Sequence, residues 1–172
     1  SATLTTNPTN YHESIISGAT LGDILKVRAT DVLGRKQELK VVVAPDAHAS
    51  YTMCTDTTTT EEVGMLVDSG GRNGDYSSNQ ACGYLIQPAV SSKITLTKLM
   101  GEVEDECACD YLEVYDGTND SGTLLGRVGN GTTLDETVEA TSGAMYIKWF
   151  SDNGDNRRGF EGCWKNTPYE PL

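Results

Sequence analysis

Apolar and polar positions alternate with a period of two along most of the chain. Leu25, Val27 and Ala29 are interleaved with Lys26, Arg28 and Thr30, and Leu39, Val41 and Val43 with Glu38, Lys40 and Val42. This predicts two strands joined by a turn at Leu33-Gly34. A further short strand is expected near Ala2 to Thr6. Later, Leu112 and Val114 alternate with Tyr111, Glu113 and Tyr115, and Met145, Ile147 and Trp149 with Tyr146, Lys148 and Phe150, as in half-buried strands. Asp116-Gly117 and Asn153-Gly154 mark tight turns. No run of about ten residues combines helical spacing with caps, so the chain is expected to be all-β. Asp56-Thr57-Thr58-Thr59-Thr60 is the one low-complexity tract and is expected to be a solvated loop.

Composition narrows the function classes. The 172 residues, 37% of them hydrophobic, suffice for a packed core. With 25 acidic residues against 13 basic ones, the net charge is −12 and the pI about 4.4, which argues against a generic nucleic-acid partner. The longest apolar run, Val41-Val42-Val43-Ala44, is far short of the roughly 18 residues that a spanning helix needs, so no membrane span is expected. Charge is also unevenly placed: residues 1–50 hold five acids and five bases, residues 51–172 twenty and eight. The shift coincides with the turn-rich stretch Pro45-Asp46-Ala47-His48-Ala49-Ser50, which separates an N-terminal strand-rich arm (1–50) from a main domain (51–172). Five cysteines in a Thr- and Gly-rich chain favour an extracellular, secreted setting. Asn119-Asp120-Ser121 and Asn130-Gly131-Thr132 match the N-glycosylation pattern at Asn119 and Asn130.

The arm segment Gly22-Asp23-Ile24-Leu25-Lys26-Val27, leading into the Val-rich second strand, resembles the last two strands of an immunoglobulin- or cadherin-like repeat. Two or three strands cannot close a sandwich alone. Either the arm packs on a neighbouring domain or the chain is a fragment, or strands of another copy complete the sheet by strand addition.

The main domain carries a more specific set of blocks. Tyr76-Ser77-Ser78-Asn79-Gln80-Ala81-Cys82-Gly83-Tyr84-Leu85-Ile86 is followed by Ile94-Thr95-Leu96-Thr97 and by Cys107-Ala108-Cys109-Asp110-Tyr111-Leu112-Glu113-Val114-Tyr115-Asp116-Gly117. Then come Leu125-Gly126-Arg127, Met145-Tyr146-Ile147-Lys148-Trp149-Phe150-Ser151-Asp152 and Gly159-Phe160-Glu161-Gly162-Cys163-Trp164. From about Cys54 to Trp164 the order and spacing of these blocks resemble a CUB domain. The resemblance implies a jelly-roll-like β-sandwich of two antiparallel sheets.

Glu102, Glu104, Asp105, Glu106 and Asp110 form an acidic run. Calcium-binding CUB domains place a Glu eight residues before the Asp of the D-Y-L-E-V strand and an Asp seven residues before the Gly of G-F, here Glu102, Asp110 and Asp152. The family's tyrosine matches Tyr76, a support of the metal site, and Asp155 stands where a small polar ligand is common. The resemblance therefore implies Ca²⁺ held by Glu102, Asp110, Asp152 and Asp155, ligands of the oxygen type that this hard cation prefers. It also implies a protein partner presenting a Lys or Arg side chain, possibly another copy of the chain.

The family's first cysteine pair corresponds to Cys54 and Cys82. Cys107 matches its third cysteine, but Val128-Gly129 stands where the fourth belongs. Cys109 and Cys163 are additional; both are expected to point away from the core and to pair with each other, with Cys107–Cys163 as the other pairing. A Cys-x-Cys zinc site is disfavoured because the two histidines, His12 and His48, are distant in sequence.

Asp68-Ser69-Gly70-Gly71 resembles the nucleophile block of trypsin-like proteases over four residues only, without a suitably placed base. Asp116-Gly117-Thr118-Asn119-Asp120 lacks the Gly and Glu of an EF-hand loop and reads as a turn. No zincin, serine-hydrolase, phosphate-loop or dinucleotide motif is present. The sequence therefore reads as a non-enzymatic extracellular interaction module, expected to be a subunit of an adhesive or filament-like assembly joined through its arm. The other reading is an accessory substrate- or glycan-recognition domain of a larger secreted protein such as a protease.

Overall fold

The computed structural model describes the backbone of residues 3–6, 14–17, 24–30 and 36–42, and then residues 50–167 except 92, 105, 108, 130–133 and 136. The chain divides into two compact units, Ser1–Ala44 and Pro45–Leu172. In the first, β1 (Thr3–Thr6) pairs antiparallel with β2 (Ser14–Ser17). Likewise β3 (Ile24–Thr30) pairs antiparallel with β4 (Lys36–Val42), setting Val27 opposite Leu39 and Leu25 opposite Val41. The expected turn at Leu33-Gly34 and most of the expected boundary stretch lie outside the described residues.

In the second unit, β5 (Ser50–Thr52), β6 (Thr58–Thr59) and β7 (Val63–Val67) precede a 3-10 turn at Gly71–Asn73. Then follow β8 (Gln80–Ile86), β9 (Lys93–Glu102), β10 (Tyr111–Asp116) and β11 (Thr123–Val128). β12 (Thr137–Ala140), β13 (Met145–Ser151) and β14 (Gly159–Thr167) complete the unit. Two five-stranded sheets form, in the orders β11-β10-β13-β8-β6 and β12-β9-β14-β7-β5, and face each other as a jelly-roll-like sandwich. The expectation of purely antiparallel sheets is corrected at the edges, where β5 adds to β7 and β6 to β8 in parallel. The threonine tract is likewise not simply a loop. Thr58 and Thr59 make up β6, and Thr59 is buried with its hydroxyl accepting a 3.1 Å bond from the Glu61 N–H. Threonine's β-branch suits an extended backbone, and that local hydrogen bond satisfies its buried oxygen.

The alternation read from the sequence is realised in the core. Met145, Ile147 and Trp149 of β13, and Leu112 and Val114 of β10, are fully buried, as are Leu96, Phe160 and Trp164 of the opposing sheet. Each such side chain contributes about 1.5–3 kcal/mol by leaving water. Both indoles have hydrogen-bond partners: Trp149 Nε1 donates to Gln80 Oε1 at 3.1 Å and Trp164 Nε1 to the Glu61 carbonyl at 3.2 Å. Cys54 and Cys82 are joined by a disulfide 28 positions apart, a loop closure contributing roughly 3–4 kcal/mol in the chain-entropy model.

Asp116, at the end of β10, fastens the turn between β12 and β13. Its Oδ2 accepts bonds from the Thr141 N–H (3.0 Å) and hydroxyl (3.1 Å), and its Oδ1 from the Ser142 N–H (2.9 Å). Partial burial opposes ionisation, but these bonds prevail and hold the carboxyl below its ordinary value of 3.8. A lowered acid pKa contributes stability that is present above the unfolded value and lost as pH falls through the folded one. Asp116→Ala should therefore destabilise the domain by about 1 kcal/mol at neutral pH. In urea unfolding, that difference from wild type should shrink as pH is lowered below the ordinary carboxylate range.

Candidate metal centre

One end of the sandwich gathers the ends of three strands. Asp110 immediately precedes β10, Asp152 follows β13, and Glu104 lies two residues beyond β9. Asp110 is fully buried. Its Oδ2 accepts a 2.5 Å bond from the Tyr76 hydroxyl and its Oδ1 a 2.8 Å bond from the Asp152 N–H. The same tyrosine oxygen accepts a 3.1 Å bond from the Glu104 N–H. Tyr76, Asp110 and Asp152 are therefore brought together as the family resemblance implies, and the loops that carry them are laced by Tyr76 N–H to Arg157 O (3.0 Å) and Asn79 N–H to Asp152 O (2.5 Å).

Glu102 is not at this point; it is exposed, and Glu104 stands there instead. Glu102 is turned outward by a bulge where β9 meets β14, between Glu161 and Gly162, with Met100 opposite the first and Lys98 opposite the second. One extra residue reverses which face the following side chains occupy. Val103 is consequently buried and Glu102, still paired with Gly159, is turned to solvent. A spacing rule counted back from Asp110 cannot sense the bulge.

One carboxylate oxygen from each of Glu104, Asp110 and Asp152 lies within 4.8 Å of the other two. Glu104 is only 6% exposed, and its Oε2 has no hydrogen-bond partner. Burial, and then the charges of Asp152, Asp110, Asp155 and Glu106, push its carboxyl above the ordinary value. Asp155 is exposed, with a left-handed φ of 47°, on the loop that follows Asp152. A buried, unpartnered carboxylate oxygen beside two other acids fits a hard cation with oxygen ligands. The sulfurs of Cys107 and Cys109 also approach Glu104, but they are joined in a disulfide and offer no thiolate.

That bridge corrects the expected Cys109–Cys163 pair and its alternative, Cys107–Cys163. Cys163 lies within β14, the middle strand of its sheet, opposite Met65 and Thr97, whereas Cys107 and Cys109 lie in the loop before β10. Cys163 alternates with Trp164 and stands outside the main core cluster, yet it is fully buried, and burial followed by the Glu161 charge pushes its thiol up to about 12. Asn119 is exposed in the β10–β11 turn, its Oδ1 accepting from the Ser121 N–H at 2.9 Å, while Asn130 lies outside the described residues. Asp68, of the protease-like block, is a structural acid. Its buried carboxylate accepts from Gly70 N–H (2.7 Å) and Phe160 N–H (2.9 Å). A side chain on Gly159, whose φ is 78°, would overlap that carboxylate.

The family model of the CUB domain matches residues 54–163. The chain belongs to the CUB domain family. Among curated proteins, multiple epidermal growth factor-like domains protein 8 of Mus musculus is 33% identical over 149 residues, covering 86% of this chain and 4% of that protein. Tolloid-like protein 1 of Mus musculus is 34% identical over 98 residues, 56% of this chain and 10% of the relative. The chain thus spans a tenth or less of the length of these two relatives. Among solved structures, the MASP-1 CUB2 domain bound to Ca²⁺ superposes with a TM-score of 0.51 at 22% identity, covering 63% of this chain and 96% of that one, a likeness of fold.

The electrostatics of this CUB domain give a signed expectation. A raised acid pKa makes the charged form unfavourable in the fold, so stability without a cation should fall as pH rises from about the ordinary value of 4.5 through the raised one. Glu104→Gln should flatten that decline. Denaturant midpoints across the pH range in chelator measure both, and parallel profiles for the two proteins would contradict the assignment.

Proposed function

We propose that this chain is a non-enzymatic, calcium-binding interaction module of an extracellular protein, with Glu104, Asp110 and Asp152 as the metal's protein ligands. Asp155, on the loop after Asp152 and among the charges acting on Glu104, is proposed as a further ligand, and Tyr76 positions Asp110. The reading is carried by the buried, unpartnered Oε2 of Glu104 beside two further carboxylates. Bound Ca²⁺ would neutralise charge there and accept about six to eight oxygen donors. The solved MASP-1 CUB2 domain, of the same fold, is bound to Ca²⁺, which supports the same chemistry here.

The remaining acidic surface suits a protein partner presenting Lys or Arg. The first unit, Ser1–Ala44, acts as the arm, and the second, Pro45–Leu172, holds the CUB domain. Each described sheet of the arm has two strands, so every one of its strands has an unpaired edge among the described residues, which supports joining to another copy by strand addition. The second reading, an accessory recognition domain of a longer secreted protein, is favoured by the small fraction of the relatives' length that this chain spans.

At about 100 times its dissociation constant, Ca²⁺ should stabilise the fold by roughly 2.7 kcal/mol, and Asp110→Ala should abolish that gain. An unfolding transition indifferent to calcium and chelator would exclude the site. Light scattering on the full chain decides between the two readings: mass that rises with concentration supports assembly, and a monomer at every concentration leaves the accessory domain.

A further inference from the structure

The loop between β9 and β10 brings a second group of metal donors beside the carboxylate trio. One carboxylate oxygen of Glu104 and the sulfurs of Cys107 and Cys109 lie within 4.8 Å of one another. Glu104 is only 6% exposed and its Oε2 is unpartnered, so the group contains a buried donor that the described residues leave unsatisfied. The two cysteines are half-buried, with Cα atoms 5.2 Å apart. Bonded to each other, they offer that oxygen no cation to share.

The two bridges of the domain differ in how strongly the fold protects them. Cys54–Cys82 spans 28 positions and packs against the core cluster. Cys107–Cys109 spans two positions within one loop and removes little freedom from the unfolded chain. By linkage, a bridge that stabilises the fold little is little stabilised by it in return. Nor is it the family's second pair, since Val128-Gly129 stands where the fourth cysteine belongs.

We propose that reduction of Cys107–Cys109 opens a site for a zinc-type cation, held by the two thiolates and Glu104. A dithiol reductant passes two electrons to the bridge: the reductant's own S–S bond forms, the Cys107–Cys109 bond breaks, and each sulfur takes a proton. When the cation binds, each thiol releases its proton to solvent as its sulfur bonds the metal. Zn²⁺ takes thiolate sulfur at about 2.3 Å and carboxylate oxygen at about 2.0–2.2 Å, in a tetrahedral shell that water completes. The carboxylate replaces the histidine that the sequence does not place nearby. Thiolates select such an ion over Ca²⁺, which prefers oxygen. Glu104 belongs to both donor groups, so the redox state of one short bridge selects the class of cation it serves. The site itself does not depend on the calcium reading; only competition between the two ions does.

The test reduces the full chain with a graded phosphine, removes the reductant without air, and maps free thiols by alkylation and mass spectrometry. Cys107 and Cys109 should open while Cys54–Cys82 stays closed; the reverse order would overturn the proposal. Co²⁺, a spectroscopic stand-in for Zn²⁺, is then titrated in. Thiolate-to-cobalt absorption should appear at one equivalent in the reduced protein, bleach with Zn²⁺, and be absent from the oxidised protein. It should persist in Cys163→Ser and vanish in the double variant Cys107→Ser/Cys109→Ser. Glu104→Gln should weaken binding by at least about ten-fold. No band in the reduced wild type, or one that survives the double variant, would overturn the site, and unchanged affinity in Glu104→Gln would overturn the carboxylate's part in it. Excess Ca²⁺ should weaken cobalt binding; bands indifferent to calcium would overturn the competition while leaving the thiolate site in place.

Discussion

A buried carboxylate organises this domain. Asp110 has no contact with water, and an acid in that position is tolerated only when its oxygens are hydrogen-bonded. The Tyr76 phenol and the Asp152 amide meet that demand, one on each oxygen. Because the phenol oxygen also accepts from the Glu104 amide, the loops before β8, after β9, before β10 and after β13 are drawn to one point. Burial and then the Asp110 bond push the phenol well above its ordinary pKa, so it remains a donor. Its ring packs edge-on against Trp149 at 4.9 Å, which ties the charged end of the sandwich to the apolar core.

Two buried acids show why the trio is distinct from ordinary structural polarity. Burial raises the pKa of Asp68, but the amides of Gly70 and Phe160 bond both its oxygens. Nothing comparable serves Glu104, whose second oxygen is unpartnered and whose charged neighbours are acids. A folded protein rarely leaves such a group without compensation. In Asp68 the fold itself supplies the compensation, and at Glu104 the described residues supply none, which is why the proposed cation is placed there.

Much of this was legible in the sequence because a period of two survives wherever one face of a strand is buried. The patterns on β10 and β13 predicted their inward faces residue by residue, and the family resemblance, not the pattern, pointed to Tyr76, Asp110 and Asp152, three of the groups that meet. What was not legible depended on partners rather than on local pattern. The bulge at Glu161/Gly162 turned Glu102 to solvent, because a register shift is a property of two strands together, and Glu104, beyond the end of β9, stands at the site instead. Thr58 and Thr59 became a strand only because β8 offered an edge in parallel. Cys163 was expected to be available for pairing since it alternates with the core, but in a strand flanked on both sides alternation does not imply exposure.

Charge partition bears on how such a module can associate. The first 50 residues carry no net charge, so the whole excess of −12 resides in residues 51–172. Two copies brought together through their CUB domains would oppose like fields, whereas contact through the neutral segment adds no such penalty at short range. A Ca²⁺ bound at the carboxylate end, as proposed, would offset two of those charges and leave the rest. That residual field repels another acidic domain but attracts a cationic side chain. The two segments therefore differ in what they can meet at low electrostatic cost, and on the proposed reading the neutral arm is the part suited to another copy and the carboxylate end the part suited to a cationic partner.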